Sequence, residues 1–143
     1  MILSAQQLFS SNQAITATAI STNVIDLGVA GTPFGAARAL NMDVGKGTEI
    51  PLLIQVTEAF NTLTSLTITI EVGSTTALGT AVVSTTILLA DLKAGKQAAM
   101  VCLPKDINAR YLGVRYTVAG TNPTAGKITA GITMGVQTNV TGA

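Results

Sequence analysis

A chain of 143 residues is long enough to bury a hydrophobic core without help from disulfides or metals. Apolar residues make up 48% of it, charged residues only 10%, and the net charge is +1, so its solvent face has to be built from uncharged groups, here threonine and serine. Its eight lysines and arginines form no run and are offset by seven carboxylates, which excludes the concentrated basic face that nucleic acid requires; so weakly charged a surface suits a protein held in an assembly.

Residues 1–13 carry Ile2, Leu3, Leu8 and Phe9 without alternation. An apolar terminus of this kind reads as a docking arm, laid either on its own domain or on a partner. The segment lacks the basic start and continuous apolar stretch of a secretion signal, and no apolar run approaches the ~18 residues of a membrane span, so folding in the cytoplasm is expected, with no membrane partner. Weak strand patterns follow at 15–20, 24–27 and 36–43. The turn Gly45-Lys46-Gly47 precedes a clear strand over 50–57, with Ile50, Leu52, Ile54 and Val56 on one face. Leu66, Ile68, Ile70 and Val72 then alternate with Thr67, Thr69 and Glu71, and a weaker strand spans 81–89. Residues 90–93 suit one helical turn ended by Gly95, and 97–103 suit a further strand. Leu112, Val114, Tyr116 and Val118 form the next apolar face. Residues 120–126 read as a hairpin loop into a last strand at 127–136.

About nine short strands with regular turns predict one domain over 1–143, an antiparallel β-sandwich with Leu, Ile and Val between its sheets. Phe9, Phe34 and Phe60 fall outside the clean strands, which makes them end plugs or interface anchors.

The chain contains no histidine, which removes Ser-His-Asp and Cys-His nucleophile systems, histidine general bases and HExxH zinc sites. A single cysteine, Cys102, can form neither an intrachain disulfide nor a structural zinc site, and its apolar setting reads as a buried small hydrophobe. Glycosidase-type chemistry would need two of the seven carboxylates within roughly 10 Å of each other in a cleft, and none of them adjoins another in sequence. The absence of tryptophan removes the usual sugar platform. Gly45-Lys46-Gly47-Thr48 leads into a strand rather than a helix and so reads as a turn, not a phosphate loop. No clustered-oxygen calcium loop is present, and the sequon at Asn139-Val140-Thr141 is a match that a Thr-rich chain produces by chance. No catalytic residue, metal or cofactor is expected.

The opening Met1-Ile2-Leu3-Ser4-Ala5-Gln6-Gln7-Leu8-Phe9-Ser10, with Gln13-Ala14-Ile15-Thr16-Ala17-Thr18-Ala19 and Ser21-Thr22-Asn23-Val24-Ile25-Asp26-Leu27-Gly28, resembles tailed-bacteriophage capsid cement proteins of the Bordetella phage type. Arg110-Tyr111-Leu112-Gly113-Val114-Arg115-Tyr116 and Gly120-Thr121-Asn122-Pro123-Thr124-Ala125-Gly126-Lys127-Ile128-Thr129-Ala130 extend the resemblance, while Gly31-Thr32-Pro33-Phe34-Gly35 departs from it. The resemblance implies a jelly roll, a dimer or trimer on the outer surface of the virion, and a partner in the major capsid protein. It implies no enzyme and no cofactor. Ile2, Leu3, Leu8, Phe9 and Phe34 are the expected interface residues. The alternative is a receptor- or glycan-binding β-sandwich of a phage tail.

Overall fold

The computed structural model describes residues 3–40, 42–47 and 49–135. Ile2, the end of the last expected strand and the sequon at 139–141 lie outside these residues.

Alternating β-branched residues form strands because a pleated ribbon buries every second side chain. Eight strands result: β1 (Leu3–Ala14), β2 (Ala19–Ile20), β3 (Ile25–Asp26), β4 (Leu52–Glu58), β5 (Leu63–Gly73), β6 (Thr80–Leu88), β7 (Tyr111–Gly120) and β8 (Lys127–Thr133). One sheet runs β1-β8-β4; the other runs β2-β7-β5-β6, with β3 also on β7. All pairings are antiparallel.

The expected strand over 97–103 is irregular, yet it lies in the first sheet. Residues 95–103 run antiparallel along the free side of β4, bridging Gln55 to Gln97 and Pro51 to Cys102. Ala98 N–H donates to Ile54 O, Leu52 N–H to Val101 O and Leu103 N–H to Ile50 O. Counting this segment as a strand, and β2 with β3 as one interrupted strand, gives eight. They pair first with eighth, second with seventh, third with sixth and fourth with fifth. That nesting is the jelly roll.

The inner faces meet as expected. Leu66, Ile68 and Ile70 of β5 lie against Leu112, Val114 and Tyr116 of β7, with Leu52, Ile54 and Val56 of β4 and Ile128 and Ala130 of β8 facing them, all buried in one cluster. The expected helical turn is a 3-10 turn, Leu89–Asp91, and Gly95 takes a positive φ of 91°.

Four expectations are corrected. The described residues of 36–43 form no strand but belong to a long loop between β3 and β4, where 36–40 are exposed throughout and bury no face. The runs 15–20 and 24–27 shrink to the two-residue strands β2 and β3. The 120–126 loop is no hairpin, because β7 and β8 belong to opposite sheets. Asn61 pins this crossing, its Oδ1 accepting from Thr124 N–H and Ala125 N–H, and the ring of Phe60 lies where a side chain at Gly126 would stand.

The fourth correction concerns the N-terminus. Residues 3–14 are not an arm but the edge strand β1, paired to β8 from Leu3↔Thr133 to Ala14↔Lys127 with three register shifts. Extra residues at those shifts break the two-residue period, which is why alternation was missing. Phe9 is fully buried in the core and Leu8 packs against Gly131. β1 is also tied to the other sheet. Ser10 Oγ donates to Gln13 Oε1 (2.6 Å) and shares a 2.8 Å hydrogen bond with Tyr116 Oη, which makes the tyrosine the donor. Asn23 N–H donates to Phe9 O and its side-chain amide to Leu8 O. Burial pushes the Tyr116 hydroxyl pKa well above its ordinary value, so the phenol stays a donor.

Candidate functional site

The loop between β3 and β4 is long, weakly charged and apolar, and both its roots are pinned. At the first root β3 ends on Asp26, opposite Tyr111 of β7. Its carboxylate accepts from Arg110 Nε (3.0 Å) and Arg110 Nη2 (2.8 Å), a two-point fork, and also from Gly28 N–H. The guanidinium lies 5.0 Å from the centre of the Tyr111 ring, and Leu27 N–H donates to Arg110 O. At the second root the Asp43 carboxylate accepts from Asp106 N–H and Ile107 N–H, while Met42 N–H donates to Asn108 Oδ1. Ile107 is fully buried, so this root is fixed to the core. Gly45 lies so close to Pro104 O that any side chain there would collide.

Between the roots the chain closes on itself. Leu40 N–H donates to Gly31 O and Ala36 N–H to Pro33 O. Gly35, with φ 78°, supplies a conformation other residues resist. Every residue from 29 to 40 is exposed. Val29 is 76% exposed, Leu40 58%, and Phe34 is as open as a free side chain at 108%. Arg38 is the only charge among these twelve residues. Isolated apolar residues on a surface are ordinary, but three on one closed, anchored loop make it a candidate docking feature.

Of the expected interface residues, Phe34 stands on this loop. Leu3 and Leu8 are half-buried on β1, and Phe9 is sealed in the core, which removes it as a contact. The structure therefore does not gather them into one patch. Sequence reasoning missed Val29 and Leu40 as companions of Phe34, and missed the Asp26–Arg110 root. The glycines and proline at 31, 33 and 35 were the available signal.

The Arg110 fork, then Gly28 N–H, holds the Asp26 carboxyl below its ordinary value of 3.8. A carboxylate whose pKa falls on folding adds stability above its unfolded pKa and loses it as pH drops through the folded one. The root is therefore expected to hold at neutral pH and to loosen only below the ordinary carboxylate range. Amide protection factors at 27–31, taken relative to the intrinsic exchange rate at each pH, should fall in acid in the native chain but stay nearly flat with pH in Asp26→Asn.

Elsewhere, Asp43 and Asp106 line one open recess of about 390 Å³ with Lys46 and Lys105. Sequence spacing had not brought these two carboxylates together. Asp43 spends its oxygens on backbone amides, so its work is architectural. Glu58 pairs with Lys127 at 2.6 Å, which lowers the Glu58 pKa. Glu71 of β5 is buried and accepts from Arg115 Nε of β7 at 2.7 Å, beneath the 74–79 turn, whose Ala77 O accepts from Arg115 Nη2. Among the described residues no three potential ligands cluster as a metal site would require, and no helix is long and apolar enough to cross a membrane.

A protein-family model described as Bbp16 matches residues 9–132, a stretch that takes in every strand from within β1 to β8. The name has the form of a Bordetella phage protein, which fits a phage protein. No curated protein matches the chain.

Proposed function

We propose that this chain, which belongs to the Bbp16 family, is a structural virion protein that binds the outer surface of an assembled phage capsid and bridges major capsid subunits. The observation that carries this reading is the closed loop at 29–40. It presents Val29, Phe34 and Leu40 to solvent from two rigid roots. A feature that binds needs apolar area and little mobility, because ordering a loop on contact subtracts from affinity. The two pinned roots restrict the loop before contact. The fold behind it is a rigid sandwich, as a clamp requires. Binding without catalysis is the corresponding assignment.

A protein that binds only the assembled shell stabilises it by mass action, and many copies multiply modest contacts. The chain, made in the host cytoplasm, would add to heads after assembly. Heads prepared without it are expected to disrupt at a lower temperature, and adding the purified chain should restore their resistance. Phe34→Ser should weaken binding roughly tenfold to a hundredfold, the loss of one buried aromatic contact of about 1.5–3 kcal/mol. Because Phe34 touches no core, the variant should melt as the native chain does. Heads equally heat-resistant with and without the chain would refute the reading. Binding of the isolated chain to host glycans but not to heads would favour a tail module.

A further inference from the structure

The two ends of the 29–40 loop border one recess of about 430 Å³. Val29 and Ala30 line it where the loop leaves, Met42 where the loop returns, and Ala109 and Arg110 on the approach to β7. Its wall is mostly apolar, and among the described residues that line it Arg110 alone is charged. That arginine is held in place. Asp26 grips it through Nε and Nη2, and the centre of the Tyr111 ring lies 5.0 Å from the guanidinium. The volume is at the small end of ligand sites, which run roughly 300–1,000 Å³, and it suits one ring rather than a length of peptide. Phe34 is fully exposed and so does not fill the recess of its own chain.

We propose that this recess is a socket for an aromatic side chain of the capsid shell, seated beside the Arg110 guanidinium. The inference rests on the capsid-docking reading and adds the chemistry of what is docked. Charge decides among occupants. An entering carboxylate would compete with Asp26 for Arg110 and be repelled by it, and an entering cation would meet the charge of Arg110. An aliphatic group would fill the space but cover a cation without compensation. The face of an aromatic ring carries partial negative charge without a net one, so it attracts the guanidinium and leaves the Asp26 pair intact. Met42 adds a thioether, which also favours contact with a ring. Position decides the source. Val29 both lines the recess and stands 76% exposed on the docking loop, so a surface that meets the loop also lies over the recess.

The test begins on the purified full chain, with N-acetyl-tryptophanamide and N-acetyl-leucinamide as probes followed by nuclear magnetic resonance. The tryptophan probe should bind about threefold to tenfold more tightly than the leucine probe, with ring-current shifts on the Val29 and Met42 methyl groups. Exchanging the ion pair for a neutral amide pair, Asp26→Asn with Arg110→Gln, should bring the two affinities together. Ala109→Leu fills the recess and should abolish binding of both probes without unfolding the domain, since Ala109 is only partly buried. On phage heads Ala109→Leu should attach about tenfold more weakly. Hydroxyl-radical footprinting should find an aromatic residue of the capsid protein protected by the native chain and not by Ala109→Leu. Probes that bind the native chain equally well, or that leave Val29 and Met42 unshifted, would overturn the socket while Phe34→Ser still tests the docking loop. Attachment of Ala109→Leu at native strength would do the same. Heads that take up no native chain would refute docking itself, whatever the probes do. Self-association that fills the recess and is lost in Phe34→Ser would overturn the proposal in favour of Phe34 from a second copy.

Discussion

Deleting residues 1–12 is expected to unfold the domain, because the segment is core and not appendage. Phe9 is fully buried, and replacing a buried phenylalanine with alanine costs about 3–5 kcal/mol. That alone is a large part of the roughly 5–15 kcal/mol by which domains are stable. The deletion also strips β8 of its β1 partner, removes Ser10 from the buried Tyr116 hydroxyl, and takes away the carbonyls that Asn23 bonds. The phenol would remain buried without an acceptor, a further cost of about 1–3 kcal/mol. Phe9→Ala by itself should lower the melting temperature by on the order of 10–20 °C, read by circular dichroism. A truncated chain with a native-like cooperative melt would show instead that the first strand is dispensable.

The second large effect is expected from Arg115→Leu. Glu71 keeps only 10% of its side chain in contact with solvent, and among the described residues the arginine is its charge partner while the second carboxylate oxygen is unbonded. Removing one member of such a pair strands a buried charge, at about 3–5 kcal/mol in fully enclosed cases. Arg115 retains 32% side-chain exposure, which places this pair at about 3 kcal/mol. The cost is that of a broken pair, not the worth of an intact one. Glu71→Leu with Arg115→Leu should therefore recover most of the loss, because neither charge is then buried. Urea unfolding of both variants checks this. A single variant as stable as the native chain, or a double variant no better than the single, would defeat it.

How much of this was legible in sequence follows from what each segment packs against. β4, β5, β7 and β8 were clear because one face of each lies on the core, so the two-residue period survives from Leu66 to Ile70 and from Leu112 to Tyr116. β1 was not, since its register shifts place Phe9 and Ser10, neighbours in sequence, both in buried positions. The outer face of β5 misled in another way. Thr69 and Glu71 look like solvent residues in the alternation, yet both are buried, Glu71 beneath the returning 74–79 turn. The 120–126 loop carried every mark of a hairpin; only the strands' assignment to different sheets distinguishes a crossing from a turn. Of the site, Phe34 was legible as an apolar residue without a strand. Its setting was not, because Asp26–Arg110 and Asp43–Ile107 join residues more than sixty positions apart.

The pairing of first strand with last sets a timetable. Ser10 and Tyr116 are 106 residues apart, and Leu3 waits for Thr133. Contacts so distant in sequence are slow to form, since the chain between them must be ordered before they contribute. On a ribosome the N-terminal strand emerges first and finds its partner last. Folding of this jelly roll is thus expected to complete only after β8 has emerged, in milliseconds to seconds rather than microseconds. Until then Phe9 stands in water, so the half-made chain is the form most open to proteolysis and aggregation.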